Sequence, residues 1–187
     1  FSDNVHGYED QKIRILNGGH QILANVAELL SIETVRDAME NEKILSLLEK
    51  IEINEIIPHI KPVPGYTPIE YFELIRRRFS NPSIQDTIRR VAFDGSSRHT
   101  GFIVPSIIDG IQNSISINGL SLAEALWSRM CEGTREDGSV IEPNDPHWEK
   151  LNICAKDSKE NPLIWLDQKE IYGDISNDEN FKKHFSK

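Results

Sequence analysis

The chain is predicted to be mainly α, a multi-helical domain. Three observations lead there. Apolar residues recur at helical spacing, as in Ile44, Leu47, Leu48, Ile51 and Ile56. Helix-start signals repeat: Thr67-Pro68-x-Glu70 and Ser121-x-x-Glu124 both read as capping boxes. Strand signals are thin, with no alternation of strand and helix patterns and no G-x-G-x-x-G behind a strand.

In order, a polar lead-in, F-S-D-N-V-H-G-Y-E-D, precedes a long helix from about Tyr8 to Leu30. Gly18 and Gly19 interrupt it, each at a cost of about 1 kcal/mol against alanine. Adjacent glycines there point either to close approach by another backbone or a ligand, or to a local kink. Ser31 to Asn41 and Glu42 to Ile57 read as two further helices. Pro58 to Gly65 is a connector that cannot be helical. Thr67 caps a helix running to about Phe79, and Asn81-Pro82 opens the next, through about Ala92. Phe93 to Gly101 is a loop, whose D-G-S-S turn Asp94 organises through local side-chain bonds. Phe102 to Ile115 is a core helix. The Ser121 helix ends near Cys131, with Gly133 as its stop. Residues 136–139 (E-D-G-S) form a tight turn or a small hairpin, 142–146 are extended, and Trp148 to Lys187 holds short helical pieces.

One stretch of the first helix stands out. On a wheel of 100° per residue from Lys12, Asn17 falls at about 140° and His20 at about 80°, among Leu16, Leu23, Ala24, Ala27 and Leu30. Gln11, Arg14, Gln21, Asn25 and Glu28 make the other, polar stripe. An ammonium, an amide and an imidazole are therefore expected to face a buried surface or cleft. Burying a charge is costly, and such a group tends to give up its charge instead.

The 187 residues suffice for one sizeable domain, read as 1–187. A net charge of -9 argues against non-specific nucleic-acid binding and against docking on anionic lipid. No run approaches the roughly 18 apolar residues of a membrane span, and no signal-peptide pattern is present. Two cysteines, Cys131 and Cys154, without metal or disulfide-scaffold spacing fit a cytoplasmic protein. The six histidines show no zinc-ligand spacing. The start at Phe1 suggests a piece of a longer protein.

The run K-I-R-I-L-N-G-G-H, a K-x4-N-x2-H pattern, resembles the catalytic signature of the polyol-specific long-chain dehydrogenases, the mannitol 2-dehydrogenase family. Further stretches are similar to that family. They are D-N-V-H-G-Y-E-D-Q-K before the helix, R-F-S-N-P-S-I-Q-D-T-I-R-R-V-A-F-D-G-S-S-R in the middle, and E-G-T-R-E-D-G-S-V-I-E-P-N-D-P near the end. The resemblance implies the helical C-terminal half of those enzymes, a fold like the C-terminal domain of 6-phosphogluconate dehydrogenase. It implies an N-terminal Rossmann domain, not contained in this sequence, that binds NAD or NADP. It also implies a polyol or ketose substrate. Lys12 is then the general base, and Asn17 and His20 hold the reacting oxygen. Arg90 and Arg98 occupy the family's substrate-binding basic pair. The family commonly has lysine at the second position, so Arg98 is a departure, a planar fork in place of a point charge. A further asparagine comes from the absent half.

On this reading a desolvated Lys12 beside cationic neighbours removes the hydroxyl proton, Asn17 and His20 stabilise the oxyanion, and no metal is required. The alternatives are a hexuronate reductase, in which an arginine fork grips a carboxylate, and a helical interaction module without turnover. The triplet R-R-R at 76–78 reads as a solvated helix face.

Overall fold

The structure, a computed structural model, describes residues 5–187; the opening of the polar lead-in, residues 1–4, lies outside them. The first helical rod has three parts: α1 (Val5–Gln11), a π-helical stretch (Lys12–Asn17) and α2 (Gly18–Leu29). The Gly18 N–H reaches back five residues to the Ile13 carbonyl. The glycine pair therefore marks a π turn inside a continuous helix. A Cβ on Gly18 would lie 3.5 Å from the Phe102 carbonyl oxygen, so a second backbone also passes close by.

Next come α3 (Val35–Glu40), capped by Thr34, and α4 (Glu42–Ile51), capped by Asn41 and continued by a second π stretch, Glu52–Ile56. The connector leads to α5 (Pro68–Phe79), whose Thr67–Glu70 capping box is formed as predicted. The predicted Asn81-Pro82 start is not used. Helix α6 covers only Ile88–Ala92, and Thr87 caps it by accepting from the Arg90 N–H. The predicted loop at 93–101 is largely helical: α7 (Gly95–Arg98) runs into a third π stretch, His99–Ile103, and then α8 (Val104–Asn113).

Helix α9 (Asn118–Cys131) starts three residues before the predicted cap. Ser121 lies inside it, buried, and Glu124 is a fully buried network residue instead of a capping partner. Then come α10 (Trp148–Asp157), a 3-10 segment Pro162–Asp167, α11 (Lys169–Tyr172) and α12 (Glu179–Phe185). Among the described residues, β pairing is limited to three isolated bridges, one of which, Thr134–Val140, closes the E-D-G-S turn.

Helix α2 is the axle of the molecule, packed against α4, α6 and α9. Ten of its 12 residues are buried, so it has no broad water-facing stripe. That overturns the wheel. Gln21 and Asn25, placed on the polar side, are each 1% exposed, while Leu30, placed on the apolar side, is 46% exposed. The polar side is buried because distant segments satisfy it. Gln21 Nε2 donates to the Val91 carbonyl at 2.8 Å, Arg135 pairs with Glu28 at 2.6 Å, and Asn25 meets His99. Lys12 is exposed and Asn17 and His20 are half-buried, so this side is the open edge of the rod.

Candidate active site

Asn17 and His20 project from the start of α2 into a cavity of about 270 Å³. Its other walls are Arg90, Val91, Arg98 and Phe102. By liquid density that is room for about nine waters, enough for a small polar molecule. The spacing of the motif now has a geometric reason. A π turn brings residues five apart into line, and the α turn that follows brings residues three apart into line. Five and then three is the separation of Lys12, Asn17 and His20. Lys12, however, is exposed and does not line the cavity. The expected dry crevice around its amine is not formed by this chain's own residues.

His20 lies flat on Phe79, with ring centroids 4.3 Å apart and planes at 21°. Burial pushes its pKa down from the usual 6.5 to about 4, and the positive charges of Arg90, Arg98 and Arg78 push the same way against an upward pull from Asp86. The imidazole is therefore neutral at pH 7, with one nitrogen to donate and one to accept. An unfolded His20 takes up its proton near pH 6.5 and the folded one only near 4, so this group's contribution to stability is complete above pH 6.5. It is lost as pH falls toward 4, by at most about 3 kcal/mol. Titration of the His20 ring by NMR should give a midpoint near 4; a midpoint near 6.5 would contradict this picture of the cavity.

Arg90 is paired with Asp86, just before the Thr87 cap, and its side chain is mostly exposed. Arg98 is better anchored. Helix α6 has only five residues, so its last carbonyls lack helical partners. The Val91 carbonyl takes up both Arg98 Nη1 and Gln21 Nε2, each at 2.8 Å. That fixes the Arg98 guanidinium beside α2.

Asp94 does not cap its turn with its side chain; it adopts a left-handed backbone, φ +59°. Asp145, from the extended 142–146 stretch, does the organising. Its carboxylate accepts from the Ser96 N–H at 2.7 Å, the Ser96 hydroxyl at 2.9 Å and the His147 N–H at 2.8 Å. Gly95 has to be glycine, because a Cβ there would sit 2.6 Å from Trp127 Nε1. Phe79, Phe102, Asp86 and Asp145 escaped the sequence reading; only the proximity of Asp86 and Phe102 to Arg90 and Arg98 could have flagged any of them. The R-R-R face is not simply solvated either. Arg76 pairs with Glu49 and Glu73, and the charge of Arg78 reaches His20.

Larger clefts lie elsewhere, and two of them border α2. One, of about 500 Å³, is lined mostly by polar and charged residues, but Arg135 is paired with Glu28 and Asp137 accepts from Ser31. The other, of about 800 Å³, is a mostly apolar groove beside Leu30, Leu122 and Leu126. Among the described residues no cluster of three or more His, Cys, Asp or Glu is placed to hold a metal. None of their helices is long and apolar enough to cross a membrane.

Residues 4–187 match the family model described as the mannitol dehydrogenase C-terminal domain. A mannitol 2-dehydrogenase of Cereibacter sphaeroides is 45% identical over 186 residues, 100% of this chain and 39% of the relative. A mannitol 2-dehydrogenase of Aspergillus terreus is 30% identical over 91% of the chain and 35% of its own length. Among solved structures, Pseudomonas fluorescens mannitol 2-dehydrogenase, in ternary complex with NAD and D-mannitol, superimposes with a TM-score of 0.94. It is 29% identical and is matched over 100% of this chain and 38% of its own. A substrate-free D-sorbitol dehydrogenase matches at a TM-score of 0.78 and 26% identity, over 98% of this chain and 41% of its own. The chain thus spans well under half the length of the enzymes it resembles, and on its helical fold, its sequence and its match over residues 4–187 it belongs to the mannitol dehydrogenase C-terminal domain family.

Proposed function

We propose that this chain is the substrate domain, residues 1–187, of a cytoplasmic NAD(P)-dependent sugar-alcohol dehydrogenase. The enzyme oxidises a secondary alcohol of mannitol or a close polyol to the ketose. The observation that carries the reading is the convergence of Asn17 and His20 with Arg90 and Arg98 on one small cavity, with Lys12 on the π stretch that ends at Asn17. Bound NAD or NADP would accept the hydride that leaves the carbinol carbon. The described residues offer no glycine-rich strand-turn-helix cradle for a pyrophosphate, so the cofactor belongs to the remaining part of the protein.

The chain's own groups have separate tasks. Lys12 takes the hydroxyl proton as the carbon–hydrogen bond breaks. Asn17 and neutral His20 donate hydrogen bonds to the oxygen as negative charge builds on it. Arg90 and Arg98 orient the remaining hydroxyls. Lysine serves as a base only where water is kept from its amine. Since Lys12 is exposed here, the nucleotide-binding part closing over the cavity has to supply that cover.

The isolated 187-residue chain should therefore produce no NADH from mannitol. The same chain joined to a nucleotide-binding domain of the family should do so, without added metal. Turnover by the isolated chain, or none by the joined protein across a polyol panel, would overturn the proposal. The two guanidinium groups on the cavity favour a second reading, reduction of a keto-hexuronate whose carboxylate they would grip. Strong preference of the joined protein for fructuronate over fructose would select it.

A further inference from the structure

Behind the cavity lies a buried polar chain that the proposed chemistry does not use. His99 directly follows Arg98 and is fully buried. Its Nδ1 is 2.7 Å from Glu124 Oε1, and its Nε2 is 3.0 Å from Asn25 Nδ2. The same Asn25 nitrogen donates to the Gln21 carbonyl at 3.2 Å, so the amide presents N–H, not oxygen, to the ring. Nε2 is then the acceptor, and Nδ1–H donates to Glu124. Tyr172 donates its hydroxyl proton to the other Glu124 oxygen at 2.7 Å, and Trp165 Nε1–H donates to the Tyr172 oxygen at 2.7 Å. The His99 ring stacks on Trp127, with centroids 4.1 Å apart and planes at 11°.

Polar groups this deeply buried are costly unless matched; His99, Glu124 and Tyr172 are matched here, while Asn25 Oδ1 and Gln21 Oε1 have no partner. The placement of the network shows what it fixes. Gln21 and Asn25 are one turn apart on α2. Gln21 holds the Val91 carbonyl that also anchors the Arg98 guanidinium, while Asn25 holds His99, the next residue along. Phe102, on the same π stretch as His99, lines the cavity with Arg98.

We infer that Asn25, His99, Glu124 and Tyr172 are positioning residues that clamp the Arg98–Phe102 segment against α2 and so hold the Arg98 guanidinium at the cavity. Consequences for turnover rest on the proposed dehydrogenase reading; the clamp itself does not.

The test uses the 187-residue chain without substrate and reads the NMR titration midpoint of His20. Arg98 is one of the charges that lower it, so Arg98→Met should raise it. His99→Gln should raise it in the same direction by a similar amount, and the double variant should go no further than Arg98→Met alone. Tyr172→Phe, which removes one hydroxyl at the far end, should give a smaller rise; should His99→Gln fail to fold, it decides by the same cycle. An unmoved midpoint in the deciding variant, full additivity with Arg98→Met, or no response to Arg98→Met would overturn the inference. In the joined enzyme, His99→Gln should raise KM for the polyol by about tenfold with kcat nearly unchanged, an effect absent in the Arg98→Met background. A fall in kcat alone would mark a merely structural role.

Discussion

Lys12→Ala, in the chain joined to a nucleotide-binding domain of the family, is expected to lower turnover by about 10² to 10⁴, the usual worth of a general base. The substitution is well suited to the question because Lys12 is exposed. Changes at such positions generally move stability by no more than about 0.5 kcal/mol. A large loss of turnover at unchanged melting temperature would thus report chemistry and not damage to the fold. Lys12→Arg should be nearly as inactive, since a guanidinium does not give up its proton. A loss below tenfold in the folded Lys12→Ala protein would remove this residue from the mechanism, whatever the fate of Asn17 and His20.

The largest effect on stability is expected at Glu124. This carboxylate is fully buried and accepts from His99 and Tyr172. Glu124→Ala removes two charge-assisted bonds, leaves both donors without acceptors and opens a hole in the core beside His99 and Tyr172. Together these should cost about 3–5 kcal/mol. Urea unfolding monitored by circular dichroism would show the midpoint shift. A cost below about 1 kcal/mol would mean that water replaces the carboxylate and that the network is not closed.

The mainly helical class was legible because the pattern of apolar stripes and caps is local: the Thr67–Glu70 capping box formed where the residues placed it. Much of the site was not. The wheel assumed 100° per residue, and a π stretch at Lys12–Asn17 changes the phase of everything downstream. The wheel also took Gln21, Asn25 and Glu28 for a water-facing stripe. Their partners are the Val91 carbonyl, His99 and Arg135, up to 107 residues away, and no local pattern announces them. Ser121-x-x-Glu124 has the spacing of a cap, yet the helix already begins at Asn118 and Glu124 serves the core. Asp94 sits in the turn that Asp145 organises, because Asp145, 49 residues after Ser96, accepts from the Ser96 N–H and hydroxyl on its two oxygens. Asn17 and His20 were singled out by the wheel as facing a cleft, which they do, whereas Arg90 and Arg98 were nameable beforehand only through the likeness to a known family.

On the proposed mechanism the Lys12 amine, in water here, becomes dry when a nucleotide-binding domain closes over it. The direct measurement is a crystal structure of the joined protein with NAD and mannitol. Lys12 Nζ should lie within about 3 Å of the hydroxyl to be oxidised, shielded from solvent, with Asn17 and His20 on the same oxygen. A Lys12 amine still in bulk water, or a polyol seated away from Asn17 and His20, would contradict the account.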